Sequence, residues 1–235
     1  MNFNISGFTH NGTVRKYNQD CILINKYIIS IDRIELYNQN EIVCFVADGV
    51  GGNNAGEFAS KYVLTKIKEN ITKIINKPGE TLLNINSELI ELTKDDVKLN
   101  GCATTLSGLI IKDNYFNIIH SGDSEIWLLR NETFIKITND QVLDNSIDNS
   151  PITSYFGGNE NYLTLDEDIY IEESYENDIF LICSDGLFKA MKHKQVKSIL
   201  KANKKLNVKS LKILENCLNQ GAIDNVSVIL IERKA

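Results

Sequence analysis

The sequence predicts an α+β fold in which helices cover antiparallel sheets. Three observations lead there. Short apolar runs of strand length recur along the chain, separated by polar turn residues. Segments with helical periodicity cluster in pairs, apart from the strand runs, which favours helices laid on antiparallel sheets over alternating βαβ units. The 235 residues, 43% hydrophobic, suffice for one sizeable core, and no Gly/Ser- or Pro-rich linker divides them, so one domain over 1–235 is expected.

Strands are expected near 3–9, 21–30, 42–47, 103–111, 115–121, 125–130, 133–137, 161–171, 179–183 and 226–231. The stretch 103–137 reads as an antiparallel meander, with Lys112-Asp113-Asn114 and Asn131-Glu132-Thr133 as turns. A helix is expected over 55–75, where Ala55, Phe58, Ala59, Tyr62, Val63, Ile67, Ile71 and Ile74 form one apolar face. Asn53 or Asn54 is placed to cap it. A second helix follows over 79–93, with Pro78 in its first turn. Later helices are expected at 193–202 and 207–219.

Composition excludes several function classes. The net charge of -6 lacks the basic footprint of nucleic-acid binding. It also opposes docking on an anionic membrane, and no apolar run reaches the length of a span. Cys21, Cys44, Cys102, Cys183 and Cys217 contain no CxxC pair, so zinc spacings are absent, and the odd count suits a reducing compartment. The N-terminal residues show no basic stretch followed by an apolar one, so a cytoplasmic protein is expected.

Four aspartates share one setting, the end of an apolar run. Asp48-Gly49 follows Val43 to Ala47, Asp185-Gly186 follows Ile179 to Ser184, Gly122-Asp123-Ser124 follows Phe116 to Ser121, and Asp224-Asn225 precedes Val226 to Ile231. A buried strand holds an acid more firmly than a loose loop does, and a set of oxygen ligands suits a hard cation such as Mg²⁺ or Mn²⁺. Taken singly, each has a plainer reading. Asp-Gly after a strand is a common turn, Gly122-Asp123-Ser124 suits a hairpin, and Asp224 suits a strand entry.

Their joint order resembles the metal-dependent protein phosphatases, the PPM or type 2C family. The resemblance runs through GFTHNGTVRKYNQD (7–20), VCFVADGVGGNNAGEFAS (43–60), GCATTLSGLII (101–111), IIHSGDSEIWLLRNETFIKITND (118–140), DIFLICSDGLFKAM (178–191) and GAIDNVSVILIE (221–232). It implies a four-layer α-β-β-α sandwich: two antiparallel sheets flanked by helices. It implies hydrolysis of phosphoserine and phosphothreonine in proteins by a metal-activated water. Asp48 would bridge two Mn²⁺ or Mg²⁺ ions, with the Gly49 carbonyl on the second. Asp185 and Asp224 would bind the first ion, and Asp123 with Asp185 a weaker third. Asp20 would orient metal-bound water, Arg15 would hold the substrate phosphate, and Asn225 would orient Asp224 or serve as a turn residue. The partners implied are phosphorylated proteins and a cognate serine/threonine kinase.

The chain departs from the family pattern in three places: Gln19 stands where many members have Glu, Val50 where many eukaryotic members have His, and the flap segment, 139–155, is short and polar. An open site is expected from the short flap, the alternative being a lip made by Ser154, Tyr155 and Phe156. His120 reads as a strand residue more than as a catalyst. Other phosphoryl chemistries find little support. No cysteine has Arg six positions later, no GxxxxGK loop occurs, and Asp166-Glu167-Asp168 is followed by Tyr170 where aspartyl-phosphate enzymes have Thr or Val. Two rival readings remain: a catalytically weak, phosphatase-like regulatory binding module, and a phosphohydrolase of small phosphorylated metabolites.

Overall fold

The computed structural model describes residues 2–50, 55–147, 150–166 and 172–234. Gly51-Gly52, the helix caps read at Asn53 and Asn54, and Glu167, Asp168 and Tyr170 lie outside them.

The chain opens with β1 (Asn2–His10), β2 (Cys21–Ile24), β3 (Tyr27–Ile29), β4 (Asp32–Gln39), β5 (Ile42–Ala47) and β6 (Gly49–Val50). Three helices follow: α1 (Ala55–Glu69), α2 (Ile71–Asn76) and α3 (Pro78–Thr93). Then come β7 (Ala103–Thr104), β8 (Leu106–Lys112), β9 (Tyr115–Ser121), β10 (Glu125–Arg130), β11 (Thr133–Lys136), β12 (Phe156–Gly157), β13 (Glu172–Glu173) and β14 (Ile179–Cys183). The chain closes with α4 (Gly186–Ala190), α5 (His193–Lys201), α6 (Leu206–Asn219) and β15 (Val226–Lys234).

Two six-stranded antiparallel sheets form the middle of the molecule, ordered β11-β10-β14-β15-β1-β4 and β13-β9-β8-β5-β2-β3. A small sheet, β12-β7-β6, lies beside them. Strand alternation sorts the apolar side chains into three interior layers. On β5, Val43, Phe45 and Ala47 pack under α1–α3, while Ile42, Cys44 and Val46 face the other sheet. On β15, Val228 and Leu230 pack under α4–α6, while Ile229 and Ile231 face inward. The result is the α-β-β-α sandwich. All five cysteines are free and buried within these layers. No described helix is long and apolar enough to cross a membrane.

The structure corrects several expectations. The 103–137 stretch is not one meander: β8 and β9 pair in one sheet, β10 and β11 in the other. Gly122-Asp123-Ser124 is therefore a crossing between sheets and not a hairpin turn, with Gly122 at a φ of 107°. The 21–30 run folds back at Asn25-Lys26, where Asn25 takes a φ of 54° and exchanges hydrogen bonds with Val43 through its backbone N–H and its side-chain Oδ1. The helix expected over 55–75 breaks at Asn70, and its continuation is α2. Of the strand expected over 161–171, the described residues form only an isolated bridge, Asp166 to His120. Strands β4, β6, β12 and β13 and helix α4 lie outside the expected ranges. Strand β4 is an edge strand with mostly polar, partly exposed side chains, so it lacks an apolar signature.

Candidate active site

The layer between the sheets turns polar at one end. Continuing the inward-facing alternation one or two positions past the apolar side chains gives Thr9, Asp20, Asp48, Ser107, His120, Ser124, Ser184 and Ser227. All of them except Asp48 are almost completely buried, and Asp48 is partly covered. Register places them in facing rows. The β2–β5 pairing of Cys21 with Ala47 sets Asp20 opposite Asp48. In the other sheet Thr9 pairs with Ser227, and Ser184 donates its backbone N–H to the Ser227 carbonyl.

Hydrogen bonds join the rows. Asp20 Oδ2 accepts from Ser184 Oγ and Ser227 Oγ, both at 2.7 Å. Its other oxygen, Oδ1, is buried without a hydrogen-bond partner. Asp48 is fixed by its backbone: its N–H donates to Thr105 Oγ1 at 3.1 Å, and its carbonyl accepts from Thr105 N and Thr104 Oγ1, both at 2.9 Å. Its carboxylate is left for the pocket. Gly49 is needed for close packing. A Cβ there would lie 2.2 Å from the Gly56 carbonyl oxygen and 2.6 Å from that of Gln19.

Asp185 opens α4, and Asp224 lies in the loop before β15. Asn225 donates its backbone N–H to Asp224 Oδ1 at 3.0 Å. The Asn225 side chain binds the 11–19 loop: Oδ1 accepts from Gln19 N at 2.9 Å, and Nδ2 donates to Asn11 O at 3.2 Å and Tyr17 O at 3.0 Å. That loop carries Arg15, whose Nε lies 3.0 Å from Asp224 Oδ1. Asn225 thus ties the guanidinium-bearing loop to the aspartate. Asp123 sits in the sheet crossing, which is held to the 139–155 segment by Gln141: its N–H donates to the Gly122 carbonyl at 2.8 Å, and its Oε1 accepts from Gly122 N at 3.0 Å.

One pocket, about 290 Å³ in volume, gathers Asp48, Gly49, Asp123, Asp185, Asp224 and Arg15 on its walls. Val50, Ser150 and Ile152 also line it, so the short flap segment reaches the site. Ser154, Tyr155 and Phe156 do not line the pocket and so form no lip over it. Ser154 is buried against Ser121 Oγ, 2.8 Å away, and Phe156 is buried in β12. His120 is enclosed, with Nδ1 at 2.8 Å from Ser107 Oγ and Nε2 at 2.8 Å from the Asn139 carbonyl; burial lowers its pKa. It does not line the pocket.

The electrostatics are unfavourable to the carboxylates. Burial, followed by the charges of Asp20, Asp185, Asp123 and Asp224, raises Asp48 well above the usual carboxylate range. Burial and then Asp185 raise Asp123 to about 7, against the pull of Lys189. Burial raises Asp20 to about 6, although the Ser227 and Ser184 hydroxyls oppose it. Asp224 moves the other way: burial acts to raise it, but Lys189, the Asn225 N–H and Arg15 together lower it. Crowded, desolvated acids that repel one another call for a multivalent cation.

The donor set fits one. It offers carboxylate and carbonyl oxygens, the ligands of Mg²⁺ and Mn²⁺, and a buried Asp20 oxygen without a partner. Among the described residues, however, no three acidic, His or Cys side chains are already drawn together as a metal cluster. Two protein cations stand among them: Lys189 Nζ lies 2.5 Å from Asp185 Oδ2 and 2.9 Å from Asp224 Oδ2, and Arg15 takes Asp224 Oδ1. Lys189 was absent from the sequence-derived candidates. Its spacing, four residues after Asp185 on a helix, is the signal that could have found it. Thr105, Ser184 and Ser227 were missed too; their inward strand alternation past the apolar runs was the clue.

Residues 30–218 match the family model for protein phosphatase 2C. The chain is 26% identical over 248 aligned positions to the serine/threonine phosphatase stp of Listeria welshimeri, covering 96% of this chain and 94% of that protein. Its fold matches that of the S. agalactiae serine/threonine phosphatase with a TM-score of 0.84 at 22% identity, over 99% of this chain and 100% of that one. It also matches the catalytic domain of the serine/threonine protein phosphatase PstP in complex with two manganese ions, with a TM-score of 0.80 at 23% identity over the whole of both chains.

Proposed function

The chain belongs to the protein phosphatase 2C family, and we propose that it hydrolyses phosphoserine and phosphothreonine esters of proteins at the pocket lined by Asp48, Asp123, Asp185 and Asp224. The single observation that carries this location is the convergence of four strand-end carboxylates and Arg15 on one pocket. Family membership and the named relatives support a metal-dependent protein serine/threonine phosphatase, and nothing in them favours a regulatory binding module or a metabolite phosphohydrolase.

In this reading Asp48 and the Gly49 carbonyl, with Asp185 and Asp224, hold two Mn²⁺ or Mg²⁺ ions, and Asp123 with Asp185 offers a third, weaker place. Bound divalent ions supply an acidified water as nucleophile and positive charge for the phosphoryl oxygens. Arg15 binds the substrate phosphate through its planar guanidinium fork, released from Asp224 as it does so. Asp20, anchored on Oδ2 by Ser184 and Ser227 and opposite Asp48 in the register, keeps Oδ1 to accept a hydrogen bond from water. Asn225 positions Arg15 and Asp224 together and ligates nothing, because its side chain is committed to the 11–19 loop.

The wider assignments follow the same reading. One domain spans 1–235. Phosphoprotein substrates require a serine/threonine kinase that phosphorylates them. Unpaired, buried thiols suit the cytoplasm. The test is hydrolysis of phosphoserine and phosphothreonine peptides, run beside phosphometabolites, with Mn²⁺, with Mg²⁺ and with a chelator. The expected result is metal-dependent release of phosphate from peptides, lost in Asp185→Asn. Undiminished activity under chelation would overturn the metal assignment.

A further inference from the structure

Lys189, which lines the pocket, bonds to two of the assigned metal ligands at once. It sits on α4, one turn beyond Asp185. Its ammonium lies 2.5 Å from Asp185 Oδ2 and 2.9 Å from Asp224 Oδ2, while Arg15 takes Asp224 Oδ1 at 3.0 Å. Three of the four carboxylate oxygens of Asp185 and Asp224 are therefore already paired with protein cations. In the assignment proposed above, a divalent ion draws its ligands from these same two carboxylates.

We propose that Lys189 is a tethered counter-cation, which holds Asp185 and Asp224 together when metal is absent and must be displaced for a divalent ion to bind. The inference rests on the metal assignment made above and adds a competitor to it. Four observations carry it. The ammonium bridges carboxylates from two separate segments, the β14–α4 junction and the loop before β15. It is only partly exposed, so the pairing is not a fully solvated surface contact. The long stem lets the charge move without moving α4. Finally, an adjoining cavity of about 520 Å³, also lined by Lys189, gives the side chain somewhere to go, and Glu125 and Asp140 are among its other lining residues.

Linkage fixes the consequences. Whatever Lys189 contributes to the metal-free protein it subtracts from metal affinity, and the two effects are reciprocal. The experiment uses metal-stripped full-length protein and Mn²⁺ alone, titrated calorimetrically into wild type, Lys189→Met and Lys189→Arg, with the melting temperature of each metal-free protein. Lys189→Met should bind Mn²⁺ about tenfold more tightly and melt several degrees lower without metal. Lys189→Arg, which keeps the charge, should stay near wild type in both. Because the Met variant could fail to fold without metal, wild type is also tested by amine acetylation and mass spectrometry, where added Mn²⁺ should raise labelling at Lys189. Equal Mn²⁺ affinity in wild type and Lys189→Met, or labelling indifferent to Mn²⁺, would overturn the role of Lys189 alone. No Mn²⁺ binding in either protein would instead bring down the metal assignment, and this inference with it.

Discussion

The layer between the two sheets has two ends made from the same strands in the same alternation, and they obey opposite rules. At one end Phe3, Ile5, Ile24, Ile42, Phe116 and Phe180 close a dry core, with Phe116 and Phe180 edge to face at 4.8 Å. At the other, the positions that continue this register hold Asp20, Asp48, Ser184 and Ser227, and one carboxylate oxygen is left without a partner. The first end lowers the free energy of the fold. The second raises it and is relieved by counter-charge or by protonation. The same pleat therefore supplies rigidity from its apolar end to acids at its polar end, which is how a strained cluster keeps its geometry.

The contrast can be tested by substitution at each end. The largest effect is expected from Asp48→Asn. It should lower kcat at saturating Mn²⁺ by at least ~100-fold, yet leave the metal-free protein as stable as wild type or more so, because a buried repelling charge is gone. Phosphatase assays beside thermal melts check this, and a metal-free variant that melts well below wild type would show that the acid stabilises the fold. At the apolar end, Phe180→Ala should do the reverse. It should cost about 3–5 kcal/mol of stability with Mn²⁺ affinity unchanged in the folded fraction, as read by denaturant melts and calorimetry.

A smaller effect should appear in pH. Asp123 is raised to about 7 and Asp20 to about 6, in both cases chiefly by burial. A carboxyl whose folded pKa exceeds its unfolded value contributes stability below the ordinary carboxylate pKa and loses it as pH rises through the folded value. The metal-free protein should therefore melt several degrees higher near pH 5 than near pH 8, and saturating Mn²⁺ should flatten or invert that slope. A metal-free melting temperature that climbs from pH 5 to 8 would contradict the crowding of the acids. The smallest effect is expected at the rim. Arg15→Ala should raise KM or lower kcat/KM roughly tenfold, leave Mn²⁺ affinity at or above wild type, and be partly restored in Arg15→Lys.

Much of this arrangement could be read in advance, for a physical reason. Asp48, Asp123, Asp185 and Asp224 each adjoin an apolar run, and strand ends are where periodicity is clearest. What could not be read depends on pairing across the fold. Ser227 reaches Asp20 over 207 positions, and alternation can turn that hydroxyl inward without showing which carboxylate it meets. Gly122-Asp123-Ser124 could equally suit a hairpin or a crossing, and only the partners of β9 and β10 decide between them. Strand β4 escaped because one of its faces meets solvent at a sheet edge. Lys189 escaped because a cation beside metal ligands runs against the expected chemistry of the site.

The burial of the thiols has a consequence for signalling under oxidative stress. Cys183 stands two residues from Asp185, but alternation turns it beneath the helices, and burial raises its pKa, with that of Cys21 pushed up to about 11 and that of Cys217 to about 12. Peroxide attacks thiolates that it can reach, and these are neither ionised nor accessible. In the reading proposed above, the phosphate-releasing step uses no sulfur. A burst of oxidant that silences cysteine-dependent phosphatases should leave this one running, so that serine and threonine marks keep being erased while other phosphate marks accumulate.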